Sequence, residues 1–292
     1  MQQQFSFILF SPDCTVTRLY LDAIDWLRSR KIIFLAFSWK RLSIVDTQNL
    51  YRKNRSSRSH TYLDDLVDEL FSLDYSLASL VSLENSFSDD TIYSELIELK
   101  GPSNPQQAKS IHLRRWLGAT NKILNFIHTS DDSQATINEA SLFFDLNNIK
   151  YFPKDNHNIL PAPPSDLGKL RSVSGFAIRL ALKERLINSS KVPIYSSFKL
   201  LLEQEKYFLN SCRDHLSLSQ ELSLLLQRQK EIVETTTNHE LLRTPLLSLI
   251  QASLDKIQGM PLISGLIKIL EVAECQLSPW EYLVIRCEES TL

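Results

Sequence analysis

Only six glycines occur in 292 residues, against a usual level near ~7% in globular proteins. Glycine supplies positive φ in tight turns and lets phosphates approach the backbone, so barrels, hairpin-rich sheets and open α/β enzymes normally use more of it. A chain this poor in glycine is most easily built from helices joined by polar loops. Its many serines agree, because serine caps helices well and suits their interiors poorly. The expected fold class is mainly α, a helical bundle-like architecture, with a small N-terminal α/β element as the one exception.

That exception opens the chain. Phe5 to Phe10 (FSFILF) and Ile32 to Trp39 (IIFLAFSW) read as strands, and Thr15 to Arg30 between them carries Leu19, Ala23, Trp26 and Leu27 at helical spacing. Short apolar runs are ambiguous between strand and buried helix, so residues 1–40 are left open between sheet and helices. Thr61 to Leu73 is a helix striped by Leu63, Leu66, Val67, Leu70 and Phe71, and the following SLASLVSL continues apolar at intervals. Thr91 to Lys100 is a short helix stopped by Gly101-Pro102, and 106–128 reads as another helix. Three regions follow as expected domains: 1–128, a polar and proline-rich connection at 129–165, and a helical region at 166–292. In the last, Ser196 to about Thr235 reads as one long bundle helix, with further helices at 240–258 and 261–274.

Chemistry-bearing patterns are sparse. No GxGxxG or GxxxxGK[ST] loop exists to cradle phosphates, which argues against a classical nucleotide-binding fold and any cofactor. The six histidines stand in no HxH or HExxH arrangement, and Cys212 with His215 is the sole local pair at ligand-like spacing, so no metal site and no catalytic residue is assigned. Asp64 and Asp68 form an i, i+4 carboxylate pair, with Asp89-Asp90 further on. They could hold magnesium beside a phosphate, although they fall on the face opposite the apolar stripe, where a surface helix is polar anyway. Cys14 follows the first strand at a helix N-terminus, without a partner that would activate it.

Charge is uneven although the net value is −2. Residues 1–60 carry 10 Lys/Arg against 4 acids, and residues 61–100 carry 10 acids against Lys100 alone. The stretch YRKNRSSRSH reads as an exposed loop, whose arginines either contact phosphates or meet the acids downstream. The candidate nucleic-acid contacts are Arg41, Arg52, Lys53, Arg55 and Arg58; Ser56, Ser57 and Ser59 are candidate regulatory phosphorylation sites. Leu222, Leu225, Leu226, Leu262, Leu266 and Ile269 are candidate contacts for one or more protein partners. No apolar window reaches the ~18–20 residues of a membrane span, and MQQQFSFILF lacks a secretory leader's pattern. Four widely spaced cysteines fit an intracellular setting, nuclear or cytoplasmic. The expectation from sequence is a non-enzymatic helical scaffold or adaptor subunit. The alternatives are a nucleic-acid-binding accessory protein and an atypical magnesium-dependent helical enzyme.

Overall fold

The computed structural model describes residues 5–56, 61–84, 91–104, 107–119, 121–146, 159–190, 196–211, 219–237, 240–258, 260 and 265–290. Two compact units divide it, 1–171 and 172–292. Unit 1 runs β1 (Ser6–Phe10), α1 (Pro12–Val16), α2 (Leu19–Arg28), β2 (Ile32–Lys40), α3 (Ile44–Leu50), α4 (Arg52–Ser56), α5 (Tyr62–Leu73), β3 (Ser76–Leu83), α6 (Thr91–Lys100), α7 (Leu113–Trp116), β4 (Ile127–Thr129) and α8 (Ser133–Ala140). Residues 129–146 therefore supply the end of β4 and the whole of α8 to this unit.

The four strands form one sheet in the order β2-β3-β1-β4, every neighbouring pair antiparallel. In β1, Ile8 lies opposite Ser79 of β3 on one side and Thr129 of β4 on the other. Strands β1 and β2 are joined through α1 and α2 yet separated by β3, which is the split β-α-β connection. This sheet corrects the mainly helical expectation. Strand β3 is the main cause: Ser76, Leu77, Ala78, Ser79, Leu80, Val81 and Ser82 are all buried, so neither face is solvated and the alternation that identifies a strand is missing. The run 106–128 is likewise not one helix. Helix α7 occupies four residues of it, and Phe126 at φ 71° turns the chain into β4.

Local chemistry fixes the helices around the sheet. The backbone N–H of Thr61 donates to Asp64 Oδ2 at 2.8 Å at the start of α5, and that of Ser43 donates to Asp46 Oδ2 at 3.1 Å at the start of α3. Asp132 caps α8, accepting from the Ala135 N–H at 2.7 Å.

Unit 2 is helical: α9 (Gly175–Ser189), α10 (Ser196–Ser211), α11 (Ser219–Thr236), α12 (Glu240–Ile257), α13 (Leu266–Val272) and α14 (Pro279–Ser290). Of the stretch expected as one long helix, 212–218 lie outside the described residues, and α10 and α11 are its described parts. Their core carries polar groups. Lys183 Nζ donates to Glu205 Oε2 at 2.5 Å and to Gln229 Oε1 at 2.9 Å, and Gln229 Nε2 donates back to Glu205 Oε2 at 2.7 Å. Arg179 meets Glu288 and donates through Nε to Ser253 Oγ at 2.8 Å. Among the described residues no helix is long and apolar enough to cross a membrane.

Candidate active site

The site is anchored where β1 ends. Ser11 donates its backbone N–H to the Phe126 carbonyl at 3.1 Å, and Phe126 donates its own N–H to Asp13 Oδ2 at 3.1 Å. Ser11 Oγ donates to the other oxygen of Asp13 at 2.5 Å. Burial raises the Asp13 pKa to about 6, with the hydrogen bonds from Ser11 and Phe126 opposing. These contacts fix the lead into β4. Ile127 and Thr129 are buried and half-buried His128 lies between them, as the two-residue period of a strand requires.

His128 Nε2 lies 2.8 Å from Glu139 Oε2, an oxygen that also accepts from Ser130 Oγ at 2.6 Å. A carboxylate only accepts, so the imidazole hydrogen sits on Nε2 and the ring's lone pair on Nδ1. Tyr51, at the junction of α3 and α4, presents its ring to His128 edge-on at 5.4 Å and packs on Phe71 at 5.9 Å. Burial raises the Tyr51 phenol pKa well above its ordinary value, so the ring acts as a neutral wall.

A cleft of about 420 Å³ opens beside these residues. Its apolar lining is Leu63, Val67, Leu70, Phe71 and Ile123, and its polar lining includes Lys100, Ser103, Arg114, Lys122, Asn125, His128 and Asp131. Four cations, Arg55, Lys100, Arg114 and Lys122, line it against two carboxylates, Asp64 and Asp131, which favours an anionic ligand with an apolar portion. Arg114 is buried and donates to the Gly101 carbonyl at 2.9 Å, Ser103 Oγ at 3.2 Å and the Ile127 carbonyl at 2.7 Å. Burial lowers its pKa to about 10, with Tyr51 and Asp13 opposing. A second cleft of about 670 Å³ shares His128 and Tyr51 and adds Arg52, Lys53, Gln134, Asn138 and Glu139.

The residues singled out in sequence fall in several places. Arg55 donates through Nη1 and Nη2 to the two oxygens of Asp68 at 2.9 and 2.8 Å, and its Nε is 3.5 Å from Asp64 Oδ1. Asp64 and Asp68 therefore hold an arginine, and among the described residues no group of three or more His, Cys, Asp or Glu could hold a metal ion. Lys53 pairs with Asp132 at 3.0 Å, Arg52 is exposed on the rim of the second cleft, and Arg41 lies 4.8 Å over the Tyr75 ring and 3.8 Å from Asp166. Leu222, Leu225, Leu226 and Leu266 are buried within unit 2, and Ile269 is half-buried. Arg58, Ser57, Ser59, Cys212, His215, Leu262, Asp89 and Asp90, with the side chain of Ser56, lie outside the described residues. Cys14 is buried, and burial followed by Asp13 and Asp22 raises its thiol pKa well above the usual value, which opposes thiolate chemistry. The sequence reading missed His128 and Glu139. Their signal is His128-x-Ser130 followed by a glutamate on the next helix, a pattern too loose to stand out alone.

The sequence model of one family, described as Nucleoside diphosphate kinase, matches residues 4–149, half of the chain. A comparison with curated proteins found no significant match. Among solved structures, the chain is similar to the nucleoside diphosphate kinase of Aquifex aeolicus at 19% identity and a TM-score of 0.42, covering 49% of this chain and 96% of that one. It is similar to the Encephalitozoon cuniculi enzyme at 18% identity and a TM-score of 0.41, covering 56% and 97%. A nucleoside diphosphate kinase family protein from Babesia bovis gives 12% identity and a TM-score of 0.44, covering 52% and 96%. The family match overturns the expectation of a non-enzymatic scaffold, together with nuclear or DNA-binding function. Of the sequence-based alternatives an enzyme agrees best, although Asp64 and Asp68 are not its metal ligands. The argument from missing glycine loops fails for a physical reason: side-chain cations line this cleft, so it needs no glycine-rich backbone cradle.

Proposed function

The chain belongs to the nucleoside diphosphate kinase family, and from that membership we propose that its N-terminal unit moves a terminal phosphoryl group from a nucleoside triphosphate to a nucleoside diphosphate. His128 carries the group between the two. The observation that carries this reading is the 2.8 Å contact of His128 Nε2 with Glu139, at the wall of a cleft rich in cations. The carboxylate holds the proton on Nε2 and leaves Nδ1 as the nucleophile. Attack by Nδ1 forms an N–P bond at the terminal phosphorus. The bond from that phosphorus to the bridging oxygen breaks, and its electron pair leaves with the nucleoside diphosphate. The ring gains positive charge as the bond forms, and Glu139 stabilises that charge where it develops. A second nucleoside diphosphate then attacks the phosphorus and restores the neutral imidazole.

The apolar side chains lining the cleft suit a nucleobase and the cations its phosphates. Magnesium is written here as part of the magnesium–nucleotide substrate. Cys14, Cys275 and Cys287 are free thiols, which supports an intracellular setting for the reaction. The test supplies one nucleoside triphosphate as donor and a diphosphate of a different base as acceptor. Conversion of the acceptor by the unaltered chain, falling to background in His128→Ala, is the expected result. Equal conversion by His128→Ala would remove the histidine from the reaction, and no conversion by either chain would refute the kinase reading.

A further inference from the structure

The four cations of the His128 cleft are not equally free to meet a ligand. Arg55 is bound by Asp64 and Asp68, Arg114 donates to two carbonyls and a hydroxyl, and Lys122 is exposed to water. Lys100 is half-buried on the cleft wall, and among the described residues its ammonium has neither a hydrogen-bond nor an ion-pair partner. No described protein group occupies its three donors, so they are open to an incoming acceptor in exchange for water. Its backbone is held in place beforehand. Lys100 is the last residue of α6, where the helix dipole favours a cation. Gly101 follows at φ 79°, where an added Cβ would meet the His112 side chain at 2.5 Å, and Arg114 holds the Gly101 carbonyl.

We propose that Lys100 is the residue that receives the nucleotide's phosphate oxygens in this cleft, a reading that rests on the nucleotide function proposed above. Arg114 acts behind it, shaping the wall through the Gly101 and Ile127 carbonyls.

Binding at Lys100 is coupled to a proton. Burial, and then repulsion from Arg114, lowers the Lys100 pKa to about 8, while Asp131 and Glu139 act in the opposite direction. Tyr51, Arg55, Asp64, Lys122 and His128 are the other charged or titratable groups lining the cleft. Near pH 8 the empty site holds Lys100 about half protonated, and a bound oxyanion restores the full charge. Binding therefore takes up roughly half a proton at pH 8 and weakens as pH rises further.

Isothermal titration of the full chain at pH 8, in two buffers of different ionisation enthalpy, tests this. The probes are inorganic tripolyphosphate and magnesium ADP. Lys100→Met is expected to bind both more weakly, by about tenfold to a hundredfold, and to lose the proton uptake. Lys100→Arg keeps affinity within severalfold and also loses the uptake, because arginine stays protonated. The same titration of His128→Gln retains the uptake, which separates the lysine from the imidazole. Lys100→Met is expected to unfold close to the unaltered chain, since it gives up only the cation at the end of α6. Equal affinity of Lys100→Met for both probes overturns the inference, as does failure of the unaltered chain to bind either. If tripolyphosphate binds through Lys100 but His128 accepts no phosphate, the kinase reading falls and the Lys100 assignment stands. If His128 is phosphorylated while Lys100→Met binds normally, the assignment falls and the kinase reading stands.

Discussion

Replacing Glu139 by glutamine keeps the side chain's length and one oxygen acceptor but removes its negative charge. In the resting site the change weakens the 2.8 Å contact with His128 Nε2, since hydrogen bonds to charged groups contribute ~1.5–3 kcal/mol and neutral ones ~0.5–1.5 kcal/mol. The larger effect falls on the transition state, where the imidazole becomes cationic. Two opposite charges about 4 Å apart interact by about 4 kcal/mol at an effective dielectric near 20. Losing roughly half to all of that, ~2–4 kcal/mol, slows transfer onto the histidine by about 30- to 1,000-fold. The glutamine NH2 can also turn toward Nε2, which moves the ring proton to Nδ1 and blocks the nucleophile. Glu139 lines the second cleft and not the one beside Lys100, so KM for the nucleotide is expected to stay within about twofold. Rapid-quench measurement of phosphate transfer to the protein separates these parameters. A rate within twofold of the unaltered chain, or a loss confined to KM, would show that Glu139 does not support the imidazole in this way.

Two further outcomes concern stability. Asp13 has a folded pKa of about 6 against an ordinary value of 3.8, so the unfolded chain releases this proton first. Its contribution is fully present below about pH 3.8 and is lost as pH rises through 6, by about 3 kcal/mol in all. Denaturant titrations of the unaltered chain and Asp13→Asn, taken as a difference between pH 4 and 7, should show that decline, and a flat difference would contradict it. In unit 2, Lys183→Met leaves Glu205 buried without its cation and should cost ~3–5 kcal/mol in urea unfolding. The double change Lys183→Met with Glu205→Leu should recover most of that loss, and additive losses would show that the pair is not coupled.

Parts of this fold are legible in the sequence where one signal dominates. Thr91 to Lys100 reads as a helix, and α6 has the same limits. Ile32 to Trp39 has strand character but is open to a buried helix, and the pairing with β3 that makes it β2 (Ile32–Lys40) lies far along the chain. Strand β3 is not legible because its serines are buried along with its leucines, so the polar positions mark no solvent face. Strand β4 is three residues long and depends on Asp13, more than a hundred positions earlier, to fix the turn at Phe126. The site is hidden for the same reason. Tyr51, Lys100, Arg114, His128 and Glu139 come from separate segments, and no two of them stand at a spacing that local periodicity would join. The basic run around Arg55 attracts attention by its charge, yet its arginine is neutralised by the acids immediately after it.

The most direct test of the central claim is to trap phosphate on the protein itself. The full chain is mixed briefly with a nucleoside triphosphate labelled in its terminal phosphate, quenched in base and mapped by peptide. The account predicts one acid-labile phosphate on His128, discharged by adding a nucleoside diphosphate and absent from His128→Ala. Label that stays after the diphosphate is added, resides on another residue, or never forms would contradict it.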